Sequence, residues 1–380
     1  MTHILVARLD NDGDVLLAGP AIRAAKRDAE RLTLLCGPRG FQAATLLPDV
    51  DDILVHRAEW IDPEPTPFEN GPTQRLLLEL ARRVIDEAAI LTSFHQSPLP
   101  LALLLRLAGI PRIGATSEDY PGSLLDVRHR ISDDAHEVER SLSLMRAMGH
   151  EPAPDDNGDL RVLHSPAELP YDEPYVVVHP GSSVPARAWA AERNKELVAA
   201  LANTGWNVAV TGAPSEQDLT AYVAGDHARD LGGTTNLDQL AAVLDGATTV
   251  VVGNTGPAHL AAAVSTPVVS LYAPTVPAKR WRPWQVPHAI LNKTVPCAGC
   301  RAHTCPIPGH PCIDDLPLSA VVDAVHHLAD RAGGREDARA TAEGGCARAR
   351  SGQDPPAAPF EPKHEPAAAP ERKPQETAAA

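Results

Sequence analysis

The sequence predicts an α/β protein of two doubly wound domains facing a central cleft, followed by a disordered tail. Three observations predict it. Strand-like apolar runs alternate with helical periodicity through the first 155 residues, the theme restarts at Tyr175, and beyond about Gly333 large apolar side chains almost vanish. The 380 residues suffice for two domains, and a 43% hydrophobic content suffices for two cores. With aromatics at only 4%, aliphatic side chains and Ala must fill those cores.

In the first half, residues 3–9, 31–36, 52–55, 89–94 and 112–115 read as strands, and 15–27, 76–88, 98–108 and 137–148 as helices. Strands that are apolar on both faces and alternate with helices imply a parallel sheet covered on both sides. Residues 60–72 are Pro-rich and read as a loop. Domain one is therefore assigned to 1–155 and a connection to 156–174, with one short strand expected at 159–163. In the second half, 175–179, 206–211, 248–252 and 267–272 read as strands. Residues 191–203, 215–223, 237–244 and 257–264 read as helices, with Asn236 a cap. Domain two is assigned to 175–332, with a last helix at 316–331 expected to lean back on the first domain. The stretch 333–380, which includes Cys346, is expected to be a disordered tail.

Composition excludes several classes. A net charge of −15 argues against broad nucleic-acid binding and gives no support for a strongly anionic acceptor surface, although a local basic patch is compatible with it. No apolar run reaches the length of a membrane span, and the start MTHILVAR reads as a strand rather than a signal peptide, so a cytoplasmic location is expected, with peripheral membrane contact left open. Six cysteines in a chain this long do not make a disulfide scaffold. A dehydrogenase is disfavoured because no G-x-G-x-x-G follows a strand.

Chemistry concentrates where strands end. The first strand runs into Arg8-Leu9-Asp10-Asn11-Asp12-Gly13-Asp14, which sets three carboxylates at a sheet edge. Two of these are adequately explained as turn and cap residues; the third reading is a general base, and the residues alone do not say which Asp it is. Domain two opens with His179-Pro180-Gly181-Ser182-Ser183, then Arg187, an arrangement that suits phosphate oxygens or an ordinary turn. Gly253-Asn254-Thr255-Gly256-Pro257-Ala258-His259 is sharper. Pro257 suits the first helical turn, free amides there favour an anion, and His259 adds a donor. Glu216 could accept ribose hydroxyls, although a first-turn Glu complementing a helix dipole explains it more simply. Cys297, Cys300, Cys305 and Cys312, with His303 and His310 between them, invite a zinc site; the spacing fits no standard pattern, and free thiols are the preferred reading.

Together, Gly13-Asp14-Val15, His179–Ser183 with Arg187-Ala188-Trp189, and Asn254–Leu260 resemble glycosyltransferase family 9, the heptosyltransferases of lipopolysaccharide synthesis, over about residues 1–330. The resemblance implies a GT-B fold of two Rossmann-like domains, with the acceptor in the first and the nucleotide sugar in the second. It implies Asp14 as catalytic base. It implies Ser182 or Ser183, Arg187, Glu216, Asn254, Thr255, Gly256 and His259 as donor-binding residues. No cofactor and no metal are implied. Asn254 stands where members commonly have Asp, so the donor implied is an ADP-heptose-like nucleotide diphosphate sugar carrying heptose or a related hexose. The acceptor implied is the hydroxyl of a glycan, glycolipid or small molecule, and the transfer is inverting. The alternatives are a nucleotide-sugar epimerase or hydrolase of similar fold, or a non-catalytic nucleotide-sugar-binding protein.

Overall fold

The structure, a computed structural model, describes residues 2–345 apart from Pro63, with side chains as far as residue 331. Met1–Gly334 form one compact unit holding two six-stranded parallel sheets. The first comprises β1 (His3–Arg8), β2 (Arg31–Cys36), β3 (Asp52–Val55), β4 (Glu87–Ile90), β5 (Arg112–Thr116) and β6 (Val127–His129), in the order β3-β2-β1-β4-β5-β6. The second comprises β7 (Tyr175–His179), β8 (Asn207–Val210), β9 (Arg229–Asp230), β10 (Thr249–Gly253), β11 (Val268–Leu271) and β12 (His288–Leu291). Its order, β12-β11-β10-β7-β8-β9, is the same winding read from the other edge. Every residue of β1 and of β7 is buried, as central strands covered on both faces require.

In this winding the chain reverses direction across the sheet between β1 and β4, and again between β7 and β10. Loops at such switch points leave a crevice at the carboxyl ends of the strands. The Asp-rich loop follows β1, and the two candidate phosphate loops follow β7 and β10. Topology thus puts all three in crevices.

The helices are α1 (Asp12–Leu17), α2 (Gly19–Arg27), α3 (Phe41–Leu46), α4 (Asn70–Arg83), α5 (Leu99–Leu107), α6 (Glu137–Met148), α7 (Ala191–Asn203), α8 (Gln217–Ala224), α9 (Leu237–Asp245), α10 (Gly256–Ala263), α11 (Ala278–Trp281) and α12 (Leu318–Gly345). Among the described residues no helix is long and apolar enough to cross a membrane. The two halves share core: Val15 and Leu16 of α1 and Ala43 of α3 belong to one buried cluster with Leu244 of α9 and Ala258 and Ala261 of α10.

Several expectations change. The helix expected at 15–27 begins earlier, at Asp12, and is broken at Ala18, because Pro20 has no N–H to continue the ladder. The helix expected to run to residue 88 stops at Arg83, where Val84 turns left-handed (φ 46°), and the next strand starts at Glu87. No strand forms at 159–163; that segment has no regular structure and is held by single bonds such as Leu163 N–H to Leu46 O at 2.8 Å. The last helix does not lean on the first half: Val321, Val325 and Leu328 pack into the second core with Val176, Val198 and Leu201. It also continues to Gly345, past the expected start of the tail, while 346–380, with Cys346, lie outside the described residues.

The connection after α6 is pinned to the first half by a buried fork. Arg23 Nε and Nη2 donate to Asp156 at 2.7 and 2.8 Å, and Nη2 also donates to Asp159 O at 2.8 Å. These bonds to Arg23 hold the Asp156 carboxyl down at about 2. A depressed carboxyl stabilises the fold above its unfolded value, about 3.9, and that stability is lost as pH falls through the folded value. Asp156→Asn should therefore lower unfolding free energy by about 2 kcal/mol near neutrality. In urea unfolding followed against pH, the gap from the unmodified chain should close between about pH 4 and pH 2; a gap that persists at pH 2 contradicts the assignment.

Candidate active site

The base of the site is a buried charge cluster at the end of β1. Arg8 is 1% exposed. Its Nε lies 2.8 Å from Asp10 Oδ2, its Nη2 donates to Asp14 Oδ1 at 2.9 Å and to Ser93 Oγ at 2.8 Å, and its Nη1 reaches Glu137 Oε2 at 3.4 Å. Burial works against the guanidinium charge, but Asp10, Asp14 and Glu137 outweigh it and raise the Arg8 pKa above its ordinary value. Burial conversely pushes the carboxyls of Asp10 and Glu137 up, with Arg8 pulling both back. Gln96 Nε2 donates to the other oxygen of Asp10.

The three aspartates separate by role. Asp12 Oδ1 accepts the Ala43 N–H at 2.9 Å and so ties α1 to α3. Asp10 is buried in the cluster. Asp14 does not cap α1, whose cap position is Asn11; it lies in the first turn, 20% exposed, one oxygen held by Arg8 and the other free of hydrogen bonds from the described residues. Asp14, like Asp12, is partly exposed, and it alone of the two is held by the buried guanidinium.

Across the crevice, α10 starts at Gly256 with Thr255 in the cap position and Pro257 in the first turn. The two halves touch here. A Cβ added to Gly13 would lie 3.0 Å from Gly256 Cα and 3.1 Å from His259 Cδ2, so glycine lets the starts of α1 and α10 meet. Around this junction stand buried polar atoms without partners: Arg187 Nε, Asn254 Oδ1, Thr255 Oγ1 and His259 Nδ1. Such atoms are costly unless something pairs with them. Burial, with the nearby charges of His136 and Arg187, pushes His259 down to about 3, so near neutrality it is an uncharged donor or acceptor.

The β7 loop contributes less uniformly. Ser182 Oγ exchanges hydrogen bonds with its own loop, donating to Val184 O at 3.1 Å and accepting from Val184 N at 3.2 Å. Ser183 is exposed on the same loop. Glu216 takes the Ala213 N–H at 2.8 Å, and its carboxylate lies directly over Gly181, where any Cβ would collide with it. The structure therefore gathers Arg187, Asn254, Thr255, Gly256 and His259 opposite Asp14, and sets Glu216 and the serines along the neighbouring loop.

The four cysteines of the 297–312 stretch line one cavity of about 50 Å³ together with His310 and Ala186. Burial raises the Cys312 thiol to about 11, and the other three thiols add to the shift. Among the described residues no three His, Cys, Asp or Glu side chains are grouped to hold a metal ion. Ala186 N–H donates to His303 O at 2.9 Å, so this stretch buttresses the loop that carries Arg187.

Sequence reasoning missed Arg8, Ser93, Gln96 and Glu137. The one local signal was an Arg ending an otherwise apolar strand; its partners lie up to 129 positions away.

Comparison with known proteins gives the family and the fold. The family model described as glycosyltransferase family 9 (heptosyltransferase) matches residues 83–310. Lipopolysaccharide heptosyltransferase 1 of Salmonella typhimurium is 31% identical over 187 residues, 46% of this chain and 58% of that one. Lipopolysaccharide heptosyltransferase 2 of the same organism is 30% identical over 234 residues, 55% of this chain and 66% of that one, so both matches fall short of two thirds of the relative's length. A family 9 glycosyl transferase structure from Veillonella parvula superposes with a TM-score of 0.70 at 18% identity, covering 87% of this chain and 97% of that one, a likeness of fold.

Replacing Arg8 by Met would remove the one guanidinium that Asp10, Asp14 and Glu137 share. The expected loss is about 3–5 kcal/mol, read by chemical denaturation, with Arg8→Lys losing less. A variant within about 1 kcal/mol of the unmodified chain would show that the cluster does not organise this edge.

Proposed function

The chain belongs to glycosyltransferase family 9, and from that premise we propose that it transfers a sugar from a nucleotide diphosphate donor to an acceptor hydroxyl, with inversion and without a metal. The donor proposed is ADP-heptose-like, in keeping with the named activity of its relatives. The observation that carries the reading is the ring of unpartnered polar atoms on the β7 and β10 loops, brought against the loop of Asp14 by the Gly13–Gly256 contact.

Asp14 removes the proton of the acceptor hydroxyl as its oxygen attacks the anomeric carbon, and the bond from that carbon to the diphosphate breaks. Arg8 is a positioning residue that fixes the carboxylate. Negative charge growing on the leaving phosphate meets the Arg187 guanidinium, the Thr255 hydroxyl and the amides at the start of α10. His259, neutral, contributes a hydrogen bond rather than charge. In this reading Glu216, whose carboxylate lies over Gly181, accepts ribose hydroxyls, and Asn254, whose Oδ1 is unpartnered, hydrogen-bonds the donor sugar. The acceptor enters on the side of residues 1–155, and the donor binds to 175–332.

Calorimetry with ADP, GDP, UDP and their sugars, in EDTA, tests this. One nucleotide should bind, with Arg187→Ala weakening it at least about tenfold. Asp14→Asn should keep nucleotide affinity while slowing transfer by about 10²–10⁴. If no nucleotide binds the unmodified chain, or binding requires a divalent ion, the metal-free donor site is wrong.

A further inference from the structure

The thiols of the 297–312 stretch have no task in the transfer described above, yet they stand beside its donor loop. Residues 296–299 form a turn, and Gly299 takes a left-handed φ of 82°. Glycine supplies a positive φ at the third residue of a tight turn without strain, so Cys297 and Cys300 stand at the two ends of one turn. The Cα atoms of such ends lie within about 7 Å, and a disulfide bridges Cα separations of about 4.4–6.8 Å. Both thiols are free and exposed. Cys305 is half-buried. Cys312 is buried, where its thiol rises to about 11 and holds little of the reactive thiolate. Thiol exchange therefore falls to the exposed pair.

The same turn fastens the crevice loops. Gly299 N–H donates to Pro274 O at 2.7 Å and Arg301 N–H to Thr275 O at 3.0 Å, so the backbone on either side of Cys300 is bonded to the loop after β11. Two residues on, His303 O accepts the N–H of Ala186 at 2.9 Å, and Ala186 immediately precedes Arg187. Ala186, Pro274 and Thr275 share with the four thiols the walls of the cavity of about 50 Å³. Drawing Cys297 and Cys300 together therefore acts on the backbone that holds Arg187.

We propose that Cys297 and Cys300 are a redox-modification site: a low-molecular-weight disulfide oxidises them to an intrachain disulfide, and the closed turn loosens the loop of Arg187 and weakens nucleotide binding. The thiolate of one cysteine attacks a sulfur of the reagent, whose S–S bond breaks and releases one thiol. The second cysteine then attacks the mixed disulfide and releases the other. The protein loses two electrons and two protons, and the two released thiols carry both. The consequence for the nucleotide rests on the donor site proposed above, whereas the disulfide and the loosened loop do not.

The test incubates the full chain with oxidised or reduced glutathione and maps disulfides by mass spectrometry of peptides cut without reduction. Amide hydrogen exchange over residues 184–190 and calorimetry with ADP, GDP and UDP follow. Oxidation should join Cys297 to Cys300, speed exchange over 184–190 and weaken the nucleotide that binds by about tenfold. Dithiothreitol should reverse all three. Cys297→Ser and Cys300→Ser should each keep the affinity of the reduced chain within about twofold and show neither change on oxidation. Absence of a 297–300 disulfide, or formation of one between another pair, overturns the proposal. So does a 297–300 disulfide that leaves exchange over 184–190 unchanged, or that leaves the affinity of a nucleotide-binding chain unchanged. A response that survives in both serine variants overturns it as well. If the reduced chain binds none of the three nucleotides, the donor site fails instead, and disulfide mapping with hydrogen exchange still decides this site.

Discussion

Arg8 ends a strand in which every residue is buried, and its charge can exist there because carboxylates from two distant parts of the chain close around it. Losing water costs a guanidinium several kcal/mol, so the site must be complete to be tolerable. Completing it fixes three things at once: the loop that carries Asp14, the loop after β4 through Ser93, and the start of α6 through Glu137. The last link carries the constraint across the crevice. His136, the cap of α6, hydrogen-bonds through Nε2 with Arg282 O at 3.0 Å, and its ring lies 4.4 Å from that of Trp284. The carboxylate proposed as base and the segment that carries Arg280 are thus set by one connected group of contacts.

The meeting of α1 and α10 follows a different logic. Two helix starts, each with free amides and a positive dipole end, repel when they face one another. Asp14 in the first turn of α1 offsets one of them. The other start, at Thr255 and Gly256, has no carboxylate in its first turn. The junction so keeps one positive end in reserve, beside Arg187 and the uncharged His259, and an anion placed there satisfies amides, hydroxyl and guanidinium together. The missing side chain of Gly13 lets the starts approach this closely.

Much of this was legible in the sequence because it is local. The all-apolar runs of β1, β7 and β10 announced central strands, and the polar clusters just after them announced the crevice loops. Of the edge strands only β3 was read; β6, β9 and β12 were not, all are short, and β9 is Arg229-Asp230, with no apolar signal to read. The end of α4 was missed because Val84 and Ile85 continue an apolar helical pattern, although the backbone turns left-handed at Val84. Which of three aspartates faces the crevice was equally hidden. It depends on Arg8, on the amide of Ala43 and on Gln96, and no spacing within residues 8–14 encodes those partners.

The same distinction explains the two cations of the crevice. Arg187 could be picked out from sequence because it lies in a strand-to-helix loop beside serines, a setting that suggests phosphate by itself. Arg280 sits in a segment with several other cations and tryptophans and suggests nothing. Only the fold lays it against Phe94, on the loop of the other sheet, and leaves its N–H groups empty. A transferase must keep two ligands apart until their reacting atoms meet, and binding energy from parts of the substrate that do not react can align the ones that do.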